Sequence, residues 1–133
     1  MSKLVAPHGG NGLQALLAPP AKRAADLARA RGLRKVSMTS REVSDVLMLG
    51  MGAYTPLDGF MGEADWRRVS LEMRLENGIF WPIPITLSCD EALAQSIQPA
   101  EEVALTDGDS GHILAIMNVT DTYAPDKTLE CEH

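Results

Sequence analysis

The residues best suited to bind a metal are three histidines and two cysteines, and their spacing does not favour a metal site. His8, His112 and His133 are far apart, and none has a second His or Cys three to five positions further along the chain. Cys89 and Cys131 are equally isolated. A structural zinc site needs clustered Cys and His ligands. The sequence therefore predicts no metal-ligating residue.

The sequence also lacks the usual residues of nucleophilic catalysis. The sequence contains no Gly-x-Ser-x-Gly elbow. Cys89 stands beside Asp90, whose negative charge disfavours the reactive thiolate. Asp107 and Asp109 are two positions apart in a predicted turn, where carboxylates usually act as solvated caps. We therefore predict no catalytic and no substrate-binding residue in this chain.

Two glycine-rich segments could in principle bind phosphate. Gly50-Met51-Gly52 resembles the start of a dinucleotide fingerprint, but Thr55 stands where the third glycine is needed, and a predicted helix precedes the motif instead of a strand. Helix termination is the favoured interpretation. The segment 9–12 offers backbone N–H groups for an anion, but it lacks the Lys-Ser/Thr ending of a P-loop, so a flexible arm is favoured.

The charge distribution is strongly asymmetric. The chain has a formal net charge of -6, yet residues 1–35 contain seven basic side chains and one acidic one. One interpretation is a basic patch for nucleic acid or phosphate. The other is a solvated helix that lies across an acidic body, which we favour because no aromatic residue is interleaved with the basic ones.

Length and composition limit the class of protein. A chain of 133 residues with 45% hydrophobic and 23% charged residues fits one globular domain that needs no disulfide or metal. No apolar run approaches the ~20 residues that span a bilayer, and Pro7 to Gly10 interrupt any signal-peptide pattern. We therefore expect no membrane association and a cytoplasmic location.

Local patterns predict four helices. Pro19-Pro20 starts a helix over Ala21–Arg31 that stops at Gly32. Thr39 and Glu42 have the spacing of a capping box for a second helix, which Gly50 and Gly52 end. The remaining two are a short amphipathic helix over Glu63–Leu71 and a helix over Glu91–Ile97 that Asp90 caps.

The second half of the chain has the patterns of strands. Asn77-Gly78 is a strong hairpin signal that joins Met73–Glu76 to Ile79–Trp81. Further strands are predicted over Leu33–Val36, Ile83–Leu87, Glu102–Thr106, His112–Val119 and Thr128–Glu132. Helices followed by short strands indicate an α+β fold with a mostly antiparallel sheet, curled into a small barrel on which the N-terminal helices pack.

Four stretches together resemble the N-terminal domain of ATP sulfurylases (sulfate adenylyltransferases). They occur in the family's order and cover nearly the whole chain. They are Ala6-Pro7-His8-Gly9-Gly10, Tyr54-Thr55-Pro56-Leu57-Asp58-Gly59-Phe60-Met61, Trp81-Pro82-Ile83-Pro84-Ile85-Thr86-Leu87 and Asp121-Thr122-Tyr123-Ala124-Pro125-Asp126-Lys127-Thr128.

The resemblance implies a PUA-like domain of an enzyme that joins ATP and sulfate into adenosine 5′-phosphosulfate and pyrophosphate. In that family the catalytic residues lie in a following α/β domain, on a Gln-x-Arg-Asn-Pro stretch and a His-x-x-His pair, and neither motif occurs here. The resemblance thus implies that residues 1–133 are the N-terminal domain, truncated at its C-terminal end, with the catalytic domain absent. No cofactor is expected in this chain, whereas the parent enzyme uses Mg-ATP.

The expected partners follow from the same resemblance. They are the catalytic domain of the same chain, ATP and sulfate in the parent, and further copies in a homo-oligomer. An unpaired sheet edge also predicts self-association of the isolated chain. The alternative is a PUA-like module that binds RNA or another protein, but nucleic acid is not expected because the sequence pI is about 4.9.

Overall fold

Short elements follow one another in the order α-β-α-α-α-β-β. The computed structural model describes residues 6–9, 12–125, 128 and 131. Its elements are α1 (Pro20–Ala30), β1 (Arg34–Met38), α2 (Ser40–Met51), α3 (Glu63–Glu72), α4 (Glu91–Ser96), β2 (Glu102–Asp107) and β3 (Ile113–Asn118). None of the helices in the described part of the chain is both long and apolar enough to cross a membrane.

The helix α2 begins and ends on the residues that the sequence singles out. Thr39 and Glu42 form the predicted capping box, with each side chain bonded to the other residue's backbone N–H. Gly52 ends the helix with φ of 83°, a left-handed conformation that suits glycine. Gly50, predicted as a second terminator, lies inside the helix instead.

The other helices also start close to their predicted residues. Pro20 occupies the first turn of α1, where a missing N–H costs nothing. The Asp90 carboxylate accepts a hydrogen bond of 2.8 Å from the Leu93 N–H and so caps α4. The first turn of α3 has a partner that is distant in sequence, because Asp121 accepts a hydrogen bond of 2.8 Å from the Glu63 N–H.

The sheet has three strands in the order β1-β2-β3. β1 pairs with β2 in parallel, from Arg34 opposite Val103 to Met38 opposite Asp107, and β2 pairs with β3 antiparallel. The sheet is therefore mixed, and the prediction of a mostly antiparallel sheet was wrong in this respect. A parallel pair needs a long crossover, and the segment through α2, α3 and α4 supplies it.

The described strands form an open sheet and do not close into a barrel. α1 contacts β3, and α2 contacts β1. The packing of the N-terminal helices on the sheet is thus as predicted. The strand predicted for Thr128–Glu132 lies mostly outside the described residues, and its two described positions, Thr128 and Cys131, are helical.

The segment between α3 and α4 has little regular pairing. The turn at Asn77-Gly78 forms as predicted, but only Arg74 and Phe80 make a bridge. The strand predicted over Ile83–Leu87 is wrong, because this segment is extended without a ladder. Pro84 within the segment and Pro82 just before it each lack a backbone donor. The backbone of the segment pairs instead with the chain at Met61, whose N–H donates to the Ile85 carbonyl at 2.8 Å.

Two clusters of buried apolar side chains make up the core. The first, which we call the sheet cluster, comprises Val36, Met38, Val103, Leu105 and Val119. The second, the loop cluster, comprises Leu49, Leu57, Met61, Val69, Leu75, Trp81 and Ile85. Phe60 packs against both, so the two clusters adjoin there.

Candidate functional site

The described histidines lie apart from one another. The ring of His8 is 6.2 Å from that of Trp81, and its Nε2 is 2.6 Å from the Phe80 carbonyl oxygen. His112 lies at the turn before β3, where its carbonyl accepts a hydrogen bond from Asp107 N–H. His133 lies outside the described residues. Within residues 6–9, 12–125, 128 and 131, no three His, Cys, Asp or Glu side chains are grouped to hold a metal.

Cys89 has an environment that disfavours thiolate chemistry. Desolvation raises the pKa of its thiol, and the charges of Asp90 and Glu42 raise it further. The direction agrees with the expectation drawn from Asp90, while the contribution of Glu42 could not be seen in the sequence because 47 positions separate the two residues. Cys89 is therefore a weak nucleophile at neutral pH.

The Asp107–Asp109 pair stabilises a turn. Asp107 Oδ1 accepts a hydrogen bond of 2.9 Å from the Asp109 N–H, and this bond together with those from Ser110 lowers the pKa of Asp107. Gly108 approaches β1 so closely that a Cβ there would lie 2.6 Å from the Met38 carbonyl oxygen. Both residues belong to a tight connection between β2 and β3, and the geometry of the Asp107 carboxylate suits a cap.

The segment 54–61, which carries the clearest family motif, packs into the interior. Thr55, Leu57 and Met61 are buried. Thr55 Oγ1 donates to the Gly52 carbonyl at 2.7 Å and accepts from the Gln14 N–H at 2.9 Å. Pro56, which follows a cis peptide bond, lies against Gly9 of the N-terminal arm. The segment thus joins the arm to the loop cluster.

The glycines considered for phosphate binding pack against other side chains of the molecule. Gly52 terminates α2 in a left-handed conformation, and Leu13 packs against it. This agrees with helix termination, whereas a dinucleotide fingerprint would leave the glycine open to a phosphate. Gly9 has φ of 90° and lies between Pro56 and Ile79. Gly10 and Asn11, the middle of the proposed arm, lie outside the described residues.

Glu42 is the most heavily bonded buried ionisable group in the described part of the chain. Its carboxylate has no exposed surface and accepts hydrogen bonds from the backbone N–H and hydroxyl of both Thr39 and Ser88. Burial by itself raises the pKa of Glu42, but these four hydrogen bonds outweigh it and leave the pKa below its ordinary value. The sequence revealed the bond with Thr39 but not the one with Ser88.

A second buried polar group, Asp45, lies three positions after Glu42, near the middle of α2. Asp45 accepts hydrogen bonds from Arg41 at 3.3 Å and from the Tyr54 hydroxyl at 3.1 Å. Burial and the Asp45 carboxylate raise the pKa of Tyr54. Tyr54 in turn meets Trp81 edge to face, with ring centroids 5.7 Å apart. These contacts fix the side chains of Asp45, Tyr54 and Trp81 relative to one another.

The basic N-terminal stretch is largely paired within the molecule. Arg29 bonds to Glu102, and Arg34 forms an ion pair of 3.2 Å with Glu101. Lys35 Nζ donates to three backbone carbonyls at and just after the end of α1, a favourable place for a cation. This arrangement supports the interpretation of α1 as a helix lying across an acidic body.

A small cavity opens between the sheet cluster and the segment before α4. Its volume is about 80 Å³, and its lining includes Phe60, Leu87, Ile97, Met117 and Thr122. Ligand pockets usually enclose ~300 Å³ or more. This cavity is thus too small for a nucleotide, and its mostly apolar lining contains no cationic side chain for an anion such as sulfate.

Comparisons with known proteins agree on the kind of domain. The family model for PUA-like domains matches residues 5–133. A sulfate adenylyltransferase of Syntrophobacter fumaroxidans is 54% identical over 133 residues, which cover 99% of this chain and 32% of that protein. One from Thiobacillus denitrificans is 49% identical over 131 residues, covering 98% and 32% respectively.

A solved structure is similar as well. The structure titled "Hexameric APS kinase from Thiobacillus denitrificans" matches with a TM-score of 0.78 and 41% identity, over 92% of this chain and 24% of that one. The present chain spans about a third of the length of the curated relatives that it matches.

Proposed function

Because the chain belongs to the PUA-like domain family, we propose that it serves as the N-terminal, non-catalytic domain of a sulfate adenylyltransferase. In this proposal the whole protein converts ATP and sulfate into adenosine 5′-phosphosulfate and pyrophosphate. The observation that carries the proposal is identity of 54% over 99% of this chain to a relative of which it covers only 32%.

The charge chemistry of the reaction supports a catalytic site elsewhere. Attack of sulfate on the α-phosphorus of ATP brings two anions together, so the site must supply cations and oriented donors. The arginines and lysine whose contacts are described above, Arg29, Arg34 and Lys35, bond to carboxylates or backbone carbonyls of this domain. The family's Gln-x-Arg-Asn-Pro and His-x-x-His motifs do not occur in the sequence.

The domain's part in such an enzyme is structural. The segment 54–61 is packed into the loop cluster and bonds to the N-terminal segment at Gln14, which supports a role in holding the fold. The free edges of β1 and β3 are the places where further strands would complete the barrel that the resemblance implies. The proposed partners of the whole protein are Mg-ATP, sulfate, the catalytic domain and other copies in a homo-oligomer. We propose a cytoplasmic location for it.

A chimera tests this proposal. This chain would replace the segment of the T. denitrificans sulfate adenylyltransferase that aligns with it, and pyrophosphate release would be measured with ATP, sulfate and Mg²⁺. We expect sulfate-dependent turnover within about tenfold of the parent, because only supporting contacts change. A chimera that folds, keeps the parent's oligomeric state and has no sulfate-dependent turnover would contradict the proposal.

A further inference from the structure

The N-terminal end of α3 is capped by a residue that is distant in sequence. The N-cap residue of this helix, Gly62, has no side chain that could accept from the first N–H groups. Asp121, which follows β3, accepts a hydrogen bond of 2.8 Å from the Glu63 N–H. Its carboxylate is so close that a Cβ on Gly62 would lie 3.3 Å from Asp121 Oδ2. Because negative charge is favourable at a helix N-terminus, Asp121 attaches the segment after β3 to α3.

Tyr123 makes a second attachment beside the first. Its hydroxyl donates to the Met61 carbonyl at 2.9 Å, and its ring meets that of the buried Trp66 with centroids 5.9 Å apart. Asp121 and Tyr123 are two positions apart. The residues to which they bond, Glu63 and Met61, are also two positions apart, in the opposite order. These two side chains, which we call the clasp, thus join two stretches of chain that run antiparallel.

The clasp connects the two core clusters. The segment after β3 begins at Val119, a member of the sheet cluster whose N–H donates to the Glu101 carbonyl at 2.8 Å. On the other side of the clasp, Met61 belongs to the loop cluster. Met61 is also the last residue of the segment 54–61, which carries the clearest family motif. The path of the chain beyond β3 is therefore set relative to both clusters, and not by the sheet alone.

We propose that Asp121 and Tyr123 are positioning residues, which fix the direction in which the chain runs on from β3 and so orient the catalytic part of the protein. This role rests on the proposed function, in which the present chain supplies about a third of an enzyme. A single covalent connection leaves two domains free to move relative to each other, whereas two hydrogen bonds and a ring contact restrict that motion. Misplacement of reacting groups by ~1 Å can lower a rate ~100-fold, even when the altered residue is far from the chemistry.

Variants of the chimera with the T. denitrificans enzyme test this role. Asp121→Ala/Tyr123→Phe removes both hydrogen bonds of the clasp. The matched control, Asp90→Ala/Tyr54→Phe, removes a helix cap of 2.8 Å from α4 and a tyrosine hydroxyl bond of 3.1 Å, neither of which involves the segment 119–125. We expect the clasp variant to lose at least about tenfold in kcat, with the KM for sulfate within about twofold, because orientation acts on the transition state. The control should keep both constants within about twofold.

Hydrogen–deuterium exchange connects that loss to the clasp. The amides of residues 120–124 should exchange at least about tenfold faster in the clasp variant than in the unchanged chimera, while those of β2 keep their rates. The control should exchange as the unchanged chimera does. Asp121→Asn, which keeps an oxygen acceptor for the Glu63 N–H, should retain most of the kcat. Circular dichroism would verify that each variant is folded.

Two results would overturn this role. One is a folded clasp variant with the kcat of the control. The other is an equal loss of kcat in the clasp variant and the control, since a general loss of stability would then explain both. If the double variant does not fold, Tyr123→Phe decides, because it removes a single oxygen: kcat should fall at least about threefold, and an unchanged kcat would overturn the role. Failure of the proposed function is distinguishable, since the unchanged chimera would then itself lack turnover.

Discussion

The sheet cluster and the loop cluster bury similar side chains in different ways. In the sheet cluster, Val36, Val103 and Leu105 lie on strands whose backbone groups pair with one another. In the loop cluster, Leu57, Trp81 and Ile85 lie on chain segments with almost no ladder. Some backbone groups there pair with other backbone, as Met61 does with Ile85, and others need a side chain where a strand would supply a neighbour.

Glu42 has this role at the boundary between the two regions. It lies in the first turn of α2, the helix that packs on β1, and it reaches the N–H of Ser88 in the unpaired segment beyond Ile85. We therefore expect the sheet region to be stabilised mainly by its ladder of backbone hydrogen bonds, and the loop region to depend on a few buried polar groups.

The largest effect should follow from loss of that carboxylate. Glu42→Ala removes the acceptor of the Thr39 and Ser88 N–H groups from the interior, and we expect the free energy of unfolding to fall by about 3 kcal/mol. Urea denaturation measures this. The control is Glu63→Ala in the exposed first turn of α3, for which a loss below about 1 kcal/mol is expected. Equal effects of the two variants would refute the role given to Glu42.

The same carboxylate makes a pH prediction. The pKa of Glu42 in the folded protein is below its ordinary value of 4.5, so the carboxylate contributes stability above pH 4.5. That contribution disappears as the pH falls through the folded-state pKa. Between pH 6 and strong acid, the wild type should therefore lose more stability than Glu42→Gln does. Parallel pH curves for the two proteins would contradict this.

A matched pair of valines tests whether the two clusters form one cooperative unit. Val69 in the loop cluster and Val103 in the sheet cluster are both almost fully buried. We expect Val69→Ala and Val103→Ala each to cost about 2 kcal/mol and to unfold in one transition, because Phe60 and Glu42 join the clusters. Fluorescence and circular dichroism melts that separate in Val69→Ala would mean that the loop cluster unfolds by itself.

A smaller difference in stability should separate the Trp→Phe variants of the two tryptophans. Trp81 Nε1 has no hydrogen-bond partner among the described residues. Trp66 is 1% exposed and meets the ring of Tyr123 at a tilt of 40°, with the ring centroids 5.9 Å apart. Trp81→Phe removes an unpaired buried donor, so it should be at least about 1 kcal/mol less destabilising than Trp66→Phe. Thermal melts measure the difference, and a reversed order would contradict it.

The smallest effect belongs to the ion pairs on the surface. Arg29 joins α1 to Glu102 of β2, but both side chains are nearly half exposed. Arg29→Gln should cost less than about 1 kcal/mol, and the loss should shrink in high salt. Arg67→Gln, which affects a pair within α3, is the control. A loss that persists in high salt would show that α1 depends on more than screened charge.

The sequence predicted features that local chemistry determines. The capping box at Thr39, the cap at Asp90 and the turn at Asn77-Gly78 each depend on residues a few positions apart. The parallel pairing of β1 with β2 involves residues about 70 positions apart, and no local pattern encodes it. The strand predicted over Ile83–Leu87 failed because alternation indicates an extended chain but does not supply a neighbouring strand.

For the candidate site too, the sequence predicted contacts between neighbouring residues but not contacts between residues distant along the chain. The environment of Cys89 was foreseen from its neighbour Asp90, but the contribution of Glu42 needs the fold. Likewise, the charge asymmetry indicated a helix across an acidic body, while the pairing of Arg34 with Glu101 required the docking of β1 beside β2.

We propose that this chain is a structural domain without catalytic groups of its own. Pyrophosphate release by the purified 133-residue chain, with ATP, sulfate and Mg²⁺, tests it most directly, with the T. denitrificans sulfate adenylyltransferase as a positive control. We predict no sulfate-dependent release above the enzyme-free blank. Sulfate-dependent turnover by the isolated chain would contradict the account.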